Sequence, residues 1–178
     1  PRNLLSAVRV AASKDAINKG VLLVSNERQI FAARDVEKTN TVRVDAFGGG
    51  ELGLLGYVDE DGVWFYQQST KKHTIESEFD ISAVDELPRV DIISSYAGAD
   101  GILLKSLVDN GIKGIVSQAT GAGGVTPELM EVANQSIDEK GTIIVSSTRV
   151  SGGRVRERSV DVGIRADNLS PQKARILL

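Results

Sequence analysis

Between Val90 and Ser147 the chain changes its apolar period four times, and no other feature narrows its folding options so far. Val90 to Ser95 is a short apolar run that reads as a strand. Gly101 to Asn110 carries apolar residues at helical spacing. Ile102, Leu103, Leu107 and Val108 form its expected stripe, and Gly111 its stop. Gly114 to Gln118 reads as a second strand. Thr126-Pro127-Glu128 then opens a helix, with Thr as N-cap, Pro at the first helical position and an acid in the first turn. That helix runs to Lys140 and stops at Gly141, and Thr142 to Ser147 is a third strand. Strand, helix, strand, helix, strand predicts a parallel sheet with right-handed crossovers. Asn168-Leu169-Ser170-Pro171 begins one more helix by the same rule.

The preceding half has a different grammar. Leu4, Leu5, Val8, Ala11 and Ala12 recur at helical spacing with polar residues between them and predict an amphipathic helix over 3–13. Val21 to Val24 and Gln29 to Ala32 read as two hairpin strands around Asn26-Glu27-Arg28. Residues 34–56 are polar and Gly-rich and show no clear period. Asp61-Gly62, between Tyr57-Val58 and Val63 to Tyr66, signals another hairpin. Residues 67–88 are charged, poor in apolar residues and end at Pro88, as a linker would.

Composition removes several function classes. With 21 basic and 24 acidic residues the net charge is -3, which gives no electrostatic footprint for nucleic acid. Aromatic residues are 4% of the chain, too few for base-stacking platforms. The longest purely apolar runs reach four residues, as at Val21–Val24, against about 20 for a membrane-spanning helix. Nucleic-acid and membrane partners are therefore not expected. Cysteine is absent, so thiol catalysis and Cys-ligated metal sites are excluded within these residues. The chain begins at Pro1 and ends in a helical pattern at Ala174-Arg175-Ile176-Leu177-Leu178, from which a longer parent protein is expected.

In an open parallel sheet, ligands sit on the loops that follow the strands. The second of these is Ala119-Thr120-Gly121-Ala122-Gly123-Gly124, which can present backbone N–H groups to an anion. It equally reads as a tight turn that lets the helix pack close to the sheet. The dinucleotide fingerprint G-x-G-x-x-G is not met, because Thr126 holds the sixth position, and no acid ends the third strand. The third loop carries Arg149, whose planar fork suits a carboxylate or an interface. Tyr96 and Asp100, in the first loop, form no motif and are read as packing residues. The lone histidine, His73, has no second ligand for a metal and is read as solvent-facing or hydrogen-bonding. Ala33-Arg34-Asp35-Val36-Glu37-Lys38-Thr39-Asn40-Thr41 is the densest polar segment. Lys38, desolvated beside a hydroxyl nucleophile, could serve as its proton acceptor. The same composition also fits a solvated charged loop.

Taken together, these segments resemble the bacterial-type L-asparaginases, the type II or glutaminase-asparaginase group. The family's A/G-R-D-V-x-K-T-N-T stretch is met at Ala33 to Thr41. The match continues at Leu54-Leu55-Gly56-Tyr57, Lys72-His73-Thr74, Leu87-Pro88-Arg89-Val90-Asp91-Ile92, Gly114-Ile115-Val116, Ser146-Ser147-Thr148-Arg149-Val150 and Asn168 to Arg175. The resemblance implies an α/β fold in three parts. Residues 1–66 would be the C-terminal part of a larger N-terminal domain with hairpins, and 67–88 an inter-domain linker. Residues 89–178 would form a smaller Rossmann- or flavodoxin-like parallel-sheet domain, incomplete at its end.

It further implies hydrolysis of L-asparagine to L-aspartate and ammonia through a Thr acyl-enzyme, with a possible side activity on L-glutamine and no cofactor or metal. Lys38 matches the catalytic Lys. Gly121, Gly123 and Gly124 match the substrate-binding loop supplied by a neighbouring subunit in a homotetramer, a dimer of dimers. A periplasmic or secreted location goes with the type II group, and a cytoplasmic one with other relatives. The chain departs from the pattern in three places. The T-G-G-T-I nucleophile motif, the T-D pair and the Tyr of the family's N-terminal part are absent. Ala122 and Gly124 stand where many relatives carry Asn. The family's acidic contact from the neighbouring subunit falls near residues 157–161, where this chain is shorter and offers Glu157 or no equivalent. The competing reading is a non-catalytic nucleotide or small-ligand module on a Rossmann-like sheet. A third is a purely structural oligomerisation piece, which predicts dimerisation with no ligand-dependent change in melting temperature.

Overall fold

The computed structural model describes residues 2–157 and 162–178. The chain divides into two compact units, Pro1–Ala83 and Val84–Leu178.

The first unit is built on an antiparallel sheet of β1 (Leu22–Val24), β2 (Gln29–Ala32), β5 (Leu54–Val58) and β6 (Val63–Phe65), in the order β1-β2-β5-β6. The β1–β2 hairpin turns through Asn26 to Arg28, and Arg28 takes the left-handed conformation at φ 62°. The Ser25 hydroxyl accepts from the N–H groups of Glu27 and Gln29, each at 3.3 Å, and so supplies partners that the turn would otherwise lack. The β5–β6 loop spans Asp59 to Gly62 and is closed by the Asp59 N–H donating to the Gly62 carbonyl at 2.9 Å. Gly56 is obligatory on β5, because a Cβ there would lie 1.9 Å from the Trp64 carbonyl oxygen of β6.

Helix α1 (Arg2–Ala12) packs on this sheet through Val10, which clusters with Ile30 and Val58. The helix expected over 3–13 is present, and its apolar face is not the face that meets this sheet. Leu4, Leu5, Val8, Ala11 and Ala12 are exposed in this chain, whereas Ser6 and Val10 are buried. The segment 34–56, without any readable period, holds a two-stranded ribbon of β3 (Glu37–Lys38) and β4 (Phe47–Gly48) before β5 begins. Two-residue strands are too short for a pattern to register.

The second unit is a four-stranded parallel sheet in the order β10-β9-β8-β7, from β7 (Val90–Ser94), β8 (Gly114–Ala119), β9 (Ile143–Thr148) and β10 (Ile164–Arg165). Helices α2 (Ile102–Asp109) and α3 (Pro127–Lys140) cover one face with Leu104, Val108, Leu129 and Ala133 against Ile93, Ile115 and Ile144. Helix α4 (Pro171–Leu177) covers the other through Ala174, beside Val90, Val116 and Val145. Covering both faces is what a parallel sheet requires, and β8 is buried along nearly its whole length. The stripe of α2 is corrected. Leu104 and Val108 are its buried residues, whereas Ile102 and Leu103 are exposed. The ends of α3 match their signals. Thr126 Oγ1 accepts from the Leu129 N–H at 3.3 Å, and Gly141 adopts φ 62° while its N–H donates to the Ile137 carbonyl.

Candidate functional site

Lys38 closes β3, and local contacts hold that ribbon along its length. Val36, buried two residues earlier, anchors its entry, and Ala46 anchors its return. Lys38 pairs with Phe47 across the ribbon, and the Thr39 N–H donates to the Ala46 carbonyl at 2.7 Å. At the far end the Asn40 carboxamide oxygen accepts from the N–H groups of Val42 and Arg43, both at 2.9 Å. Arg43 and Asp45 then clip the turn through a bidentate ion pair. The hydrogen bond from Arg43 holds the Asp45 carboxyl below the usual carboxylate range. At the base, Arg34 donates to Asp35 at 2.7 Å. Gly53 lies so close to Asp35 and Gly49 that a Cβ would meet both within 2.7 Å. The Lys38 side chain is exposed and makes no hydrogen bond or ion pair among the described residues. Its amine is thus available to another group, which a buried and paired lysine would not be.

The glycine-rich loop lies at the C-terminal end of β8, where the sheet topology puts ligand loops. It is closed on itself. The Thr120 carbonyl accepts from the Gly123 N–H at 3.1 Å and from the Gly124 N–H at 2.8 Å. The Gly124 carbonyl accepts from both the N–H and the hydroxyl of Thr120, each at 2.9 Å. Gly121 and Gly123 both have left-handed φ, at 50° and 107°. A side chain at Gly123 would come within 2.8 Å of Val155, whereas Gly121 faces open space. The N–H groups of Gly121 and Ala122 have no partner among the described residues. These two donors, rather than the N–H groups of Gly123 and Gly124, are what the loop offers to an anion.

Neighbouring loops brace this one. The Thr148 hydroxyl donates to the Gly121 carbonyl at 2.5 Å, and the Arg149 N–H donates to the Ala119 carbonyl at 3.1 Å. The Thr126 hydroxyl donates to the Ala99 carbonyl at 2.5 Å. Asp100 accepts from the Ile102 N–H at 3.1 Å just before α2, while Tyr96 is exposed. Thr148 was legible in the sequence only as part of a motif, and its link to Gly121 needed the parallel register of β8 and β9. The Arg149 side chain is exposed. Glu157 is exposed and pairs with Arg165 at 3.1 Å, and residues 158–161 lie outside the described residues.

His73 is a hydrogen-bonding anchor in the first unit. Its ring lies against Gly20, whose missing side chain leaves room for Nδ1, and Nδ1 is 3.3 Å from the Thr74 hydroxyl.

The comparisons with known proteins cover both units. The family domain described as "Asparaginase, N-terminal" matches residues 1–71, and "Glutaminase/Asparaginase C-terminal domain" matches residues 89–178. The chain belongs to the asparaginase family. It is 40% identical over 181 residues to "L-asparaginase 2" of Bacillus subtilis (strain 168), which covers 100% of this chain and 48% of that protein. It is 38% identical over 183 residues to "L-asparaginase 2" of Escherichia coli (strain K12), covering 100% of this chain and 52% of that one. With "Glutaminase-asparaginase" of Pseudomonas fluorescens biotype A it shares 36% over 181 residues, covering 98% of this chain and 49% of that protein. The crystal structure of "Probable Cytoplasmic L-asparaginase from Campylobacter jejuni" superposes with a TM-score of 0.92 at 39% identity, over 99% of this chain and 58% of that chain. The chain spans about half the length of the named relatives it matches. The mixed α/β fold expected of such a family member is the one observed.

Proposed function

We propose that the protein containing this chain hydrolyses L-asparagine to L-aspartate and ammonia, with L-glutamine as a possible slower substrate. A Thr hydroxyl attacks the side-chain amide carbon, the C–N bond breaks, and the nitrogen leaves as ammonia after taking up a proton. Water then cleaves the acyl ester and restores the hydroxyl. The positive charge of Lys38 eases loss of the hydroxyl proton, which passes to the departing nitrogen, and steadies the negative charge that develops. The nucleophile lies outside these 178 residues, since the T-G-G-T-I motif does not occur among them.

Gly121, Gly123 and Gly124 belong to the loop that meets the substrate, contributed by a neighbouring copy in a homotetramer built as a dimer of dimers. A periplasmic or secreted location accords with the type II resemblance. One relative is named "Probable L-asparaginase periplasmic", and the superposed structure is named cytoplasmic. Among the described residues no helix is long and apolar enough to cross a membrane.

The observation that carries this reading is Lys38 itself. It stands at the lysine position of the A/G-R-D-V-x-K-T-N-T stretch, on a braced ribbon, with its amine exposed and unpaired among the described residues. The test is ammonia release from L-asparagine by the complete protein and by its Lys38→Met variant. The unsubstituted protein should turn over. The variant should lose about 10²–10⁴-fold in kcat with an unchanged circular dichroism spectrum. Near-normal turnover by the variant would remove Lys38 from the catalytic set.

A further inference from the structure

The peptide between Gly121 and Ala122 is a rigid, trans planar unit, so its carbonyl and its N–H point in opposite directions. Its carbonyl is held by the Thr148 hydroxyl at 2.5 Å. Thr148 is the last residue of β9 and is only 7% exposed. The same hydroxyl accepts from the Val150 N–H at 3.1 Å, which orients its own hydrogen toward Gly121. The Ala122 N–H is therefore turned away from the buried end of β9, and it has no partner among the described residues. The loop holds this peptide by no hydrogen bond of its own among the described residues. Its internal bonds run between Thr120 and Gly123 or Gly124 and leave the Gly121–Ala122 peptide spanning the gap. Gly121, at φ 50° with open space around its Cα, adds little resistance to a flip of that peptide.

We infer that Thr148 is a positioning residue whose hydroxyl locks the Gly121–Ala122 peptide, so that the Ala122 N–H is held outward as a donor to the carboxylate of the substrate amino acid. This rests on the amidohydrolase reading above and deepens it. With Ala at position 122 the side chain offers no hydrogen bond, so the loop recognises the substrate through its backbone. A backbone donor is effective only when its direction is fixed beforehand, and the plane-fixing contact comes from another strand.

The experiment compares the complete protein with its Thr148→Val and Thr148→Ser variants. The valine keeps the shape and removes the hydroxyl, and the serine keeps the donor. Thr148→Val should raise KM for L-asparagine and the inhibition constant of L-aspartate in parallel, each by about tenfold, with kcat within about twofold. Thr148→Ser should stay within about twofold of the unsubstituted protein in all three constants. A role confined to folding would lower the active fraction and leave KM and the inhibition constant where they were. Unmoved constants in Thr148→Val, a fall in kcat alone, or a serine variant as impaired as the valine one would each overturn the inference. If Thr148→Val does not fold, Thr148→Cys, with its weaker donor, should show the same parallel rise at smaller size, and unmoved constants there overturn it too. Absence of ammonia release by the unsubstituted protein overturns the amidohydrolase reading and this inference with it. Turnover with unmoved variant constants overturns this inference alone.

Discussion

Leu103 and Leu104 are adjacent leucines in α2, and substituting each by alanine should give opposite results. Leu104 is 1% exposed and sits among Val108, Leu129, Ala133 and Ile115 in the larger core of the second unit, whereas Leu103 is 64% exposed. Truncating Leu104 to alanine removes three buried carbons, worth about 2.4 kcal/mol at ~0.8 kcal/mol each. The site is walled by two helices and the sheet and can relax only in part, so the cavity left behind adds about 1 kcal/mol or more. The expected loss is about 3–4 kcal/mol for Leu104→Ala and within ~0.5 kcal/mol for Leu103→Ala. Urea unfolding of the 178-residue chain, followed by circular dichroism in the helix band, reads this directly. With a slope of roughly 1.5–2 kcal/mol per molar urea, Leu104→Ala should lower the midpoint of the second unit by about 2 M, and Leu103→Ala should leave it in place. Equal losses from the two variants would refute the assignment of the buried face of α2.

Two further outcomes follow from the loops. Thr126→Ala removes both the N-cap of α3 and the hydroxyl bond to Ala99, so it should cost about 1–2 kcal/mol in the same urea titration; a neutral result would show that neither bond stabilises the unit. The Arg43–Asp45 clip should open in acid. Asp45 has a lowered pKa in the folded chain, so its contribution is complete above the unfolded aspartate value of about 3.9 and is lost as the pH falls through the lower folded value. Amide exchange at Val42 and Arg43 should therefore be flat above about pH 4, once corrected for intrinsic rates, and rise below it. In Asp45→Asn that extra rise should vanish, and its persistence would refute the clip.

Much of the second unit was legible because its signals are local. Thr126-Pro127 and Gly141 fix the ends of α3 through bonds reaching only a few residues, so the sequence suffices to place them. The Gly-rich loop after β8 was equally visible, because a parallel strand followed by a helix puts its loop at the ligand edge whatever the side chains are. Lys38 stood out through the company it keeps in Ala33 to Thr41, a chemical pattern independent of conformation.

The apolar faces of α1 and α2 were less legible. Leu4-Leu5 and Ile102-Leu103-Leu104 put apolar residues on more than one side of the helix, so periodicity alone does not say which side meets the sheet. The ribbon β3–β4 is not legible in the sequence, because two residues per strand carry no period.

The sequence by itself determined the order of elements, the parallel character of the second sheet, the position of the glycine loop and the lysine of the polar stretch. Each of these is encoded within a few neighbouring residues. Only the tertiary structure decided which leucine of α2 is buried, that the N–H groups of Gly123 and Gly124 are consumed inside the loop, and that Thr148 turns the Ala122 N–H outward. Those outcomes depend on strand register and on contacts such as Thr148 to Gly121, between residues far apart in the chain, where local propensity has nothing to say.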